Sequence, residues 1–136
     1  MEVPTLQSPA APLLIVDDDP LITDLFKQFM TRRGYSVFIA HSGAAALELA
    51  ASQRETLRLV ISDMTMPGMT GLELAAALLL ALPNLPVLIA TGHAPEATEH
   101  SLPSNIVGFV QKPYQNRLLA DHIQQFLDDP KQPFPK

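Results

Sequence analysis

The 136-residue chain has no cysteine and no tryptophan, and only 6% of its residues are aromatic. Without cysteine there is no disulfide framework, no thiolate metal site and no Cys nucleophile, which suits a reducing cytoplasm. Basic residues are also scarce: 9 Lys and Arg stand against 14 Asp and Glu, for a net charge of −5. Those nine are scattered, whereas nucleic-acid binding needs clustered cations to neutralise phosphates. No nucleic-acid partner is expected. The longest apolar runs, such as residues 78–82, fall far short of the ~20 residues that span a bilayer. Residues 1–12 lack the basic start and apolar stretch of an export signal. Neither a membrane partner nor export is expected, and the location implied is cytoplasmic.

What is present suits one globular domain, with 47% hydrophobic and 17% charged residues in a length typical of a single core. Residues 1–12, with Pro4, Pro9 and Pro12, read as a flexible leader, residues 13–128 as the domain, and residues 129–136, ending PKQPFPK, as a polar tail or linker. Within the domain, short apolar runs at 13–16, 35–40, 59–62, 87–90 and 106–111 are strand candidates. Helical periodicity follows each of them. The first helix starts near Pro20, carries Ile22, Leu25, Phe26, Phe29 and Met30, and stops at Gly34. Ser42 caps a second over 43–52, and others are expected over 71–82, 95–102 and 114–128. Five β-α units with nearly continuous apolar strands predict a parallel sheet covered on both faces.

Ligands of such sheets bind beyond the carboxyl ends of the strands, so those ends carry the functional reading. They hold Asp17, Asp18 and Asp19 after the first strand, Asp63 after the third, Thr91 after the fourth and Lys112 after the fifth. Carboxylates gathered this closely repel one another, and a hard, oxygen-seeking Mg²⁺ would relieve them. One carboxylate can then attack a phosphorus centre while a lysine and a hydroxyl meet the phosphoryl oxygens. Asp63, Lys112 and Thr91 fit those roles.

The runs LLIVDDDP, VISDMTMPGMTGLEL, VLIATGH and GFVQKPY together resemble the motifs of response-regulator receiver domains of two-component phosphorelays, over residues 13–128. The resemblance implies an α/β fold, a doubly wound (βα)5 flavodoxin-like parallel sheet of strand order 2-1-3-4-5. It implies that Asp63 is the phosphoacceptor and that Asp17, Asp18, Asp63 and the backbone carbonyl of Thr65 hold Mg²⁺. Asp18 would bind the metal directly and Asp17 through water. Thr91 and Lys112 match the switch hydroxyl and the phosphate-binding lysine, Phe109 the switch aromatic, and Pro113 a proline that follows a cis bond. The implied partner is a histidine kinase or histidine phosphotransfer protein, docking beside Asp63 on Pro20, Leu21, Pro113 and Tyr114. The ending GFVQKPY plus one helix is similar to receivers at the C-terminus of hybrid histidine kinases. One departure from the pattern is the segment after Thr91, where Gly92, Pro95 and Pro103 predict a short or poorly formed helix.

Blander readings stand beside these. Asp63, Thr91 and Lys112 could each be an ordinary strand-end residue, and Phe109 simply core. Asp19 is as well explained as a helix cap as by metal contact. The four histidines, His41, His93, His100 and His122, lack metal-ligand spacing. The Leu/Ala-rich helix over 75–82 is compatible with a weak homodimer, although plain packing is the preferred reading because Ala and Leu are the best helix formers. A rival function is a haloacid-dehalogenase-type phosphohydrolase, whose motifs Asp17, Asp19, Thr91, Lys112 and Asp128–Asp129 imitate in order. Leu21 departs from that pattern, and Asp128–Asp129 ends a helix instead of a strand. A degenerate receiver that only binds partners would be expected to lack the acidic pair, the acceptor or the lysine, and all are present.

Overall fold

The computed structural model describes residues 12–92, 102–131, 134 and 135. Along the chain run β1 (Pro12–Val16), α1 (Pro20–Arg32), β2 (Ser36–Ala40), α2 (Gly43–Ser52), β3 (Leu59–Asp63), α3 (Gly71–Ala81), β4 (Val87–Thr91), β5 (Ile106–Gln111) and α4 (Asn116–Asp128). All strand pairings are parallel, in the order β2-β1-β3-β4-β5. The leader and the helix expected over 95–102 fall, but for Pro12 and Leu102, outside the described residues. Pro12 is the first residue of β1, where a missing N–H costs the ladder least.

Strand residues alternate between two cores. Leu13 and Ile15 of β1, Leu59 and Ile61 of β3 and Leu88 of β4 face Phe26 and Met30 of α1 and Leu119, Ile123 and Phe126 of α4. Leu14, Val16, Val60, Val87 and Ile89 face Ala46 and Ala50 of α2 and Leu74, Ala75 and Leu78 of α3. With both faces covered, β3 and β4 are buried along their whole length. This explains their unbroken apolar sequence.

Local chemistry sets where the helices start and stop. Asp19 caps α1 and Pro20 follows at its first position; Ser42 caps α2. Thr70 and Glu73 form a reciprocal capping box on α3. Gly34, at φ 96°, ends α1 by letting the Gly34 and Tyr35 amides turn back onto the Thr31 and Met30 carbonyls. α4 starts two residues later than the expected 114, at Asn116, without a side-chain cap. Among the described residues, no helix is long and apolar enough to cross a membrane.

Two further features depart from the sequence reading. Asp63 and Thr91 are the last residues of their strands, not the first residues after them, so the ladder fixes their backbones. In the 129–136 segment, read as a polar tail or linker, Phe134 lies in the core beside Phe126. A single aromatic between prolines carries no periodicity, so the pattern could not reveal its burial.

Gly71 joins fold to site. A Cβ there would lie 2.5 Å from the Asp63 carbonyl oxygen and 3.1 Å from Met64 Cα, both backbone atoms that cannot swing aside. Gly71→Ala should therefore lower stability by about 1–3 kcal/mol, the usual cost of overpacking, as read by urea unfolding. Gly92→Ala, where nothing lies within 4 Å, should stay near wild type. Equal costs for the two would contradict the close approach.

Candidate functional site

Backbone hydrogen bonds bring three strand ends to one rim. The Asp17 amide donates to the Ala40 carbonyl, the Met64 amide to the Ala90 carbonyl, and the Lys112 amide to the Thr91 carbonyl at 2.8 Å. The Lys112–Pro113 peptide is cis. Asp17 is buried, with one carboxylate oxygen accepting the Asp19 amide at 3.0 Å. Asp19 in turn accepts the Leu21 amide as the α1 cap. The third aspartate is thus engaged in holding the loop and starting the helix.

Lys112 completes the centre. Its Nζ donates to Asp17 Oδ2 at 3.1 Å and to Asp63 Oδ1 at 3.2 Å, so one ammonium serves two carboxylates. Oxygens of Asp17, Asp18 and Asp63 all lie within 4.8 Å of one another. Three carboxylates against one ammonium leave an excess of negative charge. Burial, and then the charge of Asp17, raise the Asp63 pKa above 3.8, while Lys112 and the Thr65 amide pull it down without cancelling the rise. Burial alone would lower the Lys112 pKa. Its bonds to Asp17 and then Asp63 outweigh that, and it ends raised. Tyr114, beside the cluster, is pushed up to about 12 by burial and then by Asp17.

Thr91 is buried at the end of β4, the strand next to Asp63, and pairs with Gln111 of β5. Phe109 stands two residues before Gln111, half-buried against the α2–α3 core. At the other end of the sheet, Asp128 is the last residue of α4, and burial, followed by the charge of Asp128, raises the pKa of Tyr35 just before β2. Asp128–Asp129 therefore cannot act at this rim, and the phosphohydrolase reading loses its last motif.

Beside Lys112 a groove of about 330 Å³ runs between α1 and the start of α4, lined by Ile22, Leu25, Lys112, Pro113, Tyr114 and Asn116. Leu21 is 65% exposed at the start of α1, and Pro20 is exposed with it. The sequence reading placed Ile22 and Leu25 in the helical stripe of α1, and Leu25 is 49% exposed. The signal was there in the i, i+4 spacing of Leu21 and Leu25, which puts them on one face. His41, just after β2, meets the Thr23 hydroxyl at 3.2 Å, a partner that spacing alone did not suggest.

The family model described as response regulator receiver domain matches residues 13–124. This chain belongs to the response regulator receiver domain family. Receiver domains serve as phosphoacceptors in two-component signalling, and that function holds here. The transcriptional regulatory protein GlrR of Escherichia coli is 38% identical over 121 residues, which are 88% of this chain and 26% of that protein. The sensor kinase CckA of Brucella abortus is 30% identical over 129 residues, 94% of this chain and 14% of that protein. The chain thus spans about a quarter or less of these relatives. Among solved structures, the response regulator TrrA of Thermotoga maritima, in complex with Mg(2+)-BeF, aligns at TM-score 0.71 and 28% identity over 84% of this chain and 96% of that one.

The raised Asp63 pKa carries a sign. A carboxyl group that holds its proton more tightly when folded contributes stability that is fully present below the unfolded value near 3.8. It is lost as pH rises through the folded value. Without metal, Asp63→Asn should therefore melt above wild type at neutral pH, and the gap should close as pH falls toward 3.8. A gap independent of pH, or a less stable variant at neutral pH, would contradict the electrostatics.

Proposed function

We propose that Asp63 takes the phosphoryl group, in a Mg²⁺-dependent reaction, from a histidine kinase or histidine phosphotransfer protein. The observation that carries this reading is the Lys112 ammonium shared by Asp17 and Asp63, beside an all-oxygen cluster of three carboxylates. That donor set fits a hard divalent cation that is held by few carboxylates and keeps several waters. Asp17, Asp18, Asp63 and the Thr65 carbonyl would hold it. When bound, it neutralises carboxylate and phosphoryl charge.

An Asp63 carboxylate oxygen forms the new P–O bond as the P–N bond of a donor phosphohistidine breaks, and the electron pair leaves with the imidazole. Lys112, already at Asp63, exchanges a carboxylate contact for a phosphoryl oxygen. The Thr91 hydroxyl donates to another such oxygen. Hydrolysis by water returns the carboxylate, so the only catalysis is the domain's own phosphorylation and dephosphorylation. The donor must reach Asp63 and docks beside it in the cytoplasm, on Pro20, Leu21 and Tyr114 with the apolar groove between α1 and α4.

Signalling then depends on Thr91 and Phe109. A shift from about 1:99 to 99:1 needs roughly 5.5 kcal/mol of differential interaction, and one charge-assisted hydrogen bond supplies only about 1.5–3 kcal/mol. Thr91 cannot throw the switch alone. The Lys112 contact and an inward move of Phe109, which is half-buried on the edge strand, supply the rest or leave the shift partial.

Acetyl phosphate with Mg²⁺ should add one phosphoryl group to the wild-type chain, seen as a mass increase, and none to Asp63→Asn. A labelled Asp63→Asn chain would sink the assignment. Leu21→Asp should slow transfer from a cognate donor at least about tenfold, a loss of some 1.4 kcal/mol in docking, with acetyl phosphate labelling intact. Equal slowing of both reactions would mean that the residue serves the fold and not docking.

A further inference from the structure

With no cysteine in the chain, its only sulfurs are those of five methionines, and three of these, Met64, Met66 and Met69, fall within six residues of Asp63. Their surroundings differ. Met66 is 6% exposed, and Met30, in the other core, is 0% exposed. Met64 and Met69 are half-buried, each packed on one side against the α2–α3 core. Among the described residues, these two are the methionines open to a small solute.

Met69 is the one with a structural task. Its side chain lies across the first residue of α2, where the space that a Cβ on Gly43 would take is filled by Met69 Sδ, with Met69 Cβ and Cγ each 3.0 Å from that position. Gly43 is buried under the contact. The loop that carries Met69 is short and closed, because the Gly71 amide donates to the Met64 carbonyl at 2.8 Å. Thr70, next to Met69, caps α3, and the Thr65 amide of the same loop bonds to Asp63. The contact of sulfur with glycine thus pins to α2 the loop that borders the acceptor carboxylate.

We propose that Met69 is an oxidation site through which peroxides loosen the loop beside Asp63 and slow its phosphorylation, a brake released when a thiol-dependent sulfoxide reductase restores the thioether. The slowing rests on Asp63 being the acceptor; the loosening does not. In the oxidation a sulfur lone pair takes one oxygen, the S–O bond forming as the peroxide O–O bond breaks. The departing hydroxide takes the proton of the transferred oxygen and leaves as water, so sulfur loses two electrons and the peroxide gains them. On the side facing Gly43 the new oxygen has no room beside the backbone. On the other side it makes polar a side chain that packs on apolar core, where a dipole without a partner is costly. Either product draws Met69 off its seat. In the release two thiols become a disulfide, and the oxygen leaves as water.

The test treats the full chain with hydrogen peroxide and locates each added oxygen by peptide mass. Met64 and Met69 should oxidise before Met66, and Met30 last. Oxidised wild type should show displaced Gly43 and Thr65 amide signals and should take label from acetyl phosphate about tenfold more slowly or worse, the scale of a misplaced positioning group. Met64→Leu should respond as wild type does. Met69→Leu, which keeps an apolar side chain of similar volume without a sulfur, should label at the wild-type rate before and after peroxide. Methionine sulfoxide reductase with dithiothreitol should restore the rate of the oxidised wild type. Unmoved Gly43 and Thr65 signals at full Met69 oxidation, a reading that needs no variant to fold, would overturn the proposal. An equal loss of labelling in peroxide-treated Met69→Leu would overturn it too. A chain never labelled at Asp63, oxidised or not, would overturn acceptor and brake together, and the amide signals would then decide the loosening alone.

Discussion

Two buried carboxylates share one ammonium, and most of the architecture serves to bring those three groups together. Asp17 follows β1, Asp63 ends β3, and Lys112 follows β5. The order β2-β1-β3-β4-β5 sets β1 and β3 side by side at the point where the winding reverses. Lys112 starts two strands away from Asp63 and must reach across β4. Its amide bond to the Thr91 carbonyl fixes where that reach begins. The repulsion between Asp17 and Asp63 is left only partly compensated, as the raised pKa of Asp63 records. The result is a site with an unmet demand for positive charge.

The surrounding devices keep that demand from being relaxed by local movement. Asp19 caps α1 while its own amide holds Asp17, so the helix start and the carboxylate are positioned together. Gly71 lets the first turn of α3 close onto the Asp63 carbonyl, and the Thr70–Glu73 box stops that turn from fraying. Ser62 is buried beneath the site, and its hydroxyl donates to the Asp63 carbonyl oxygen. The fold supports geometry at the rim, where charge is crowded, in preference to symmetry elsewhere.

Much of this was legible in the residues. Alternating short apolar runs and helical periods carried the strands almost to the residue, because the inner strands are covered on both faces and the helices on one. Ser42 and Gly34 marked helix ends through their own chemistry. The carboxylates, the threonine and the lysine were legible because a parallel sheet delivers its strand ends to one rim. What escaped had no periodic signature. Leu25 is the exception, because its spacing from the exposed Leu21 already puts the two on one face. Phe134 lies in a proline-rich run, and its burial depends on the absence of a side chain at Gly108, far away in sequence. The pairing of His41 with Thr23 joins β2 to α1 and is likewise a product of tertiary contact.

A Mg²⁺ titration followed by thermal unfolding tests most directly whether the cluster of Asp17, Asp18 and Asp63 takes up a cation. A ligand that binds only the folded chain raises the melting point by mass action. The wild-type midpoint should climb as Mg²⁺ is added, and that of Asp18→Asn, which keeps the Lys112 bridge but lacks the exposed carboxylate, should climb far less. A wild-type midpoint indifferent to Mg²⁺, or an equal climb in both chains, would contradict that uptake.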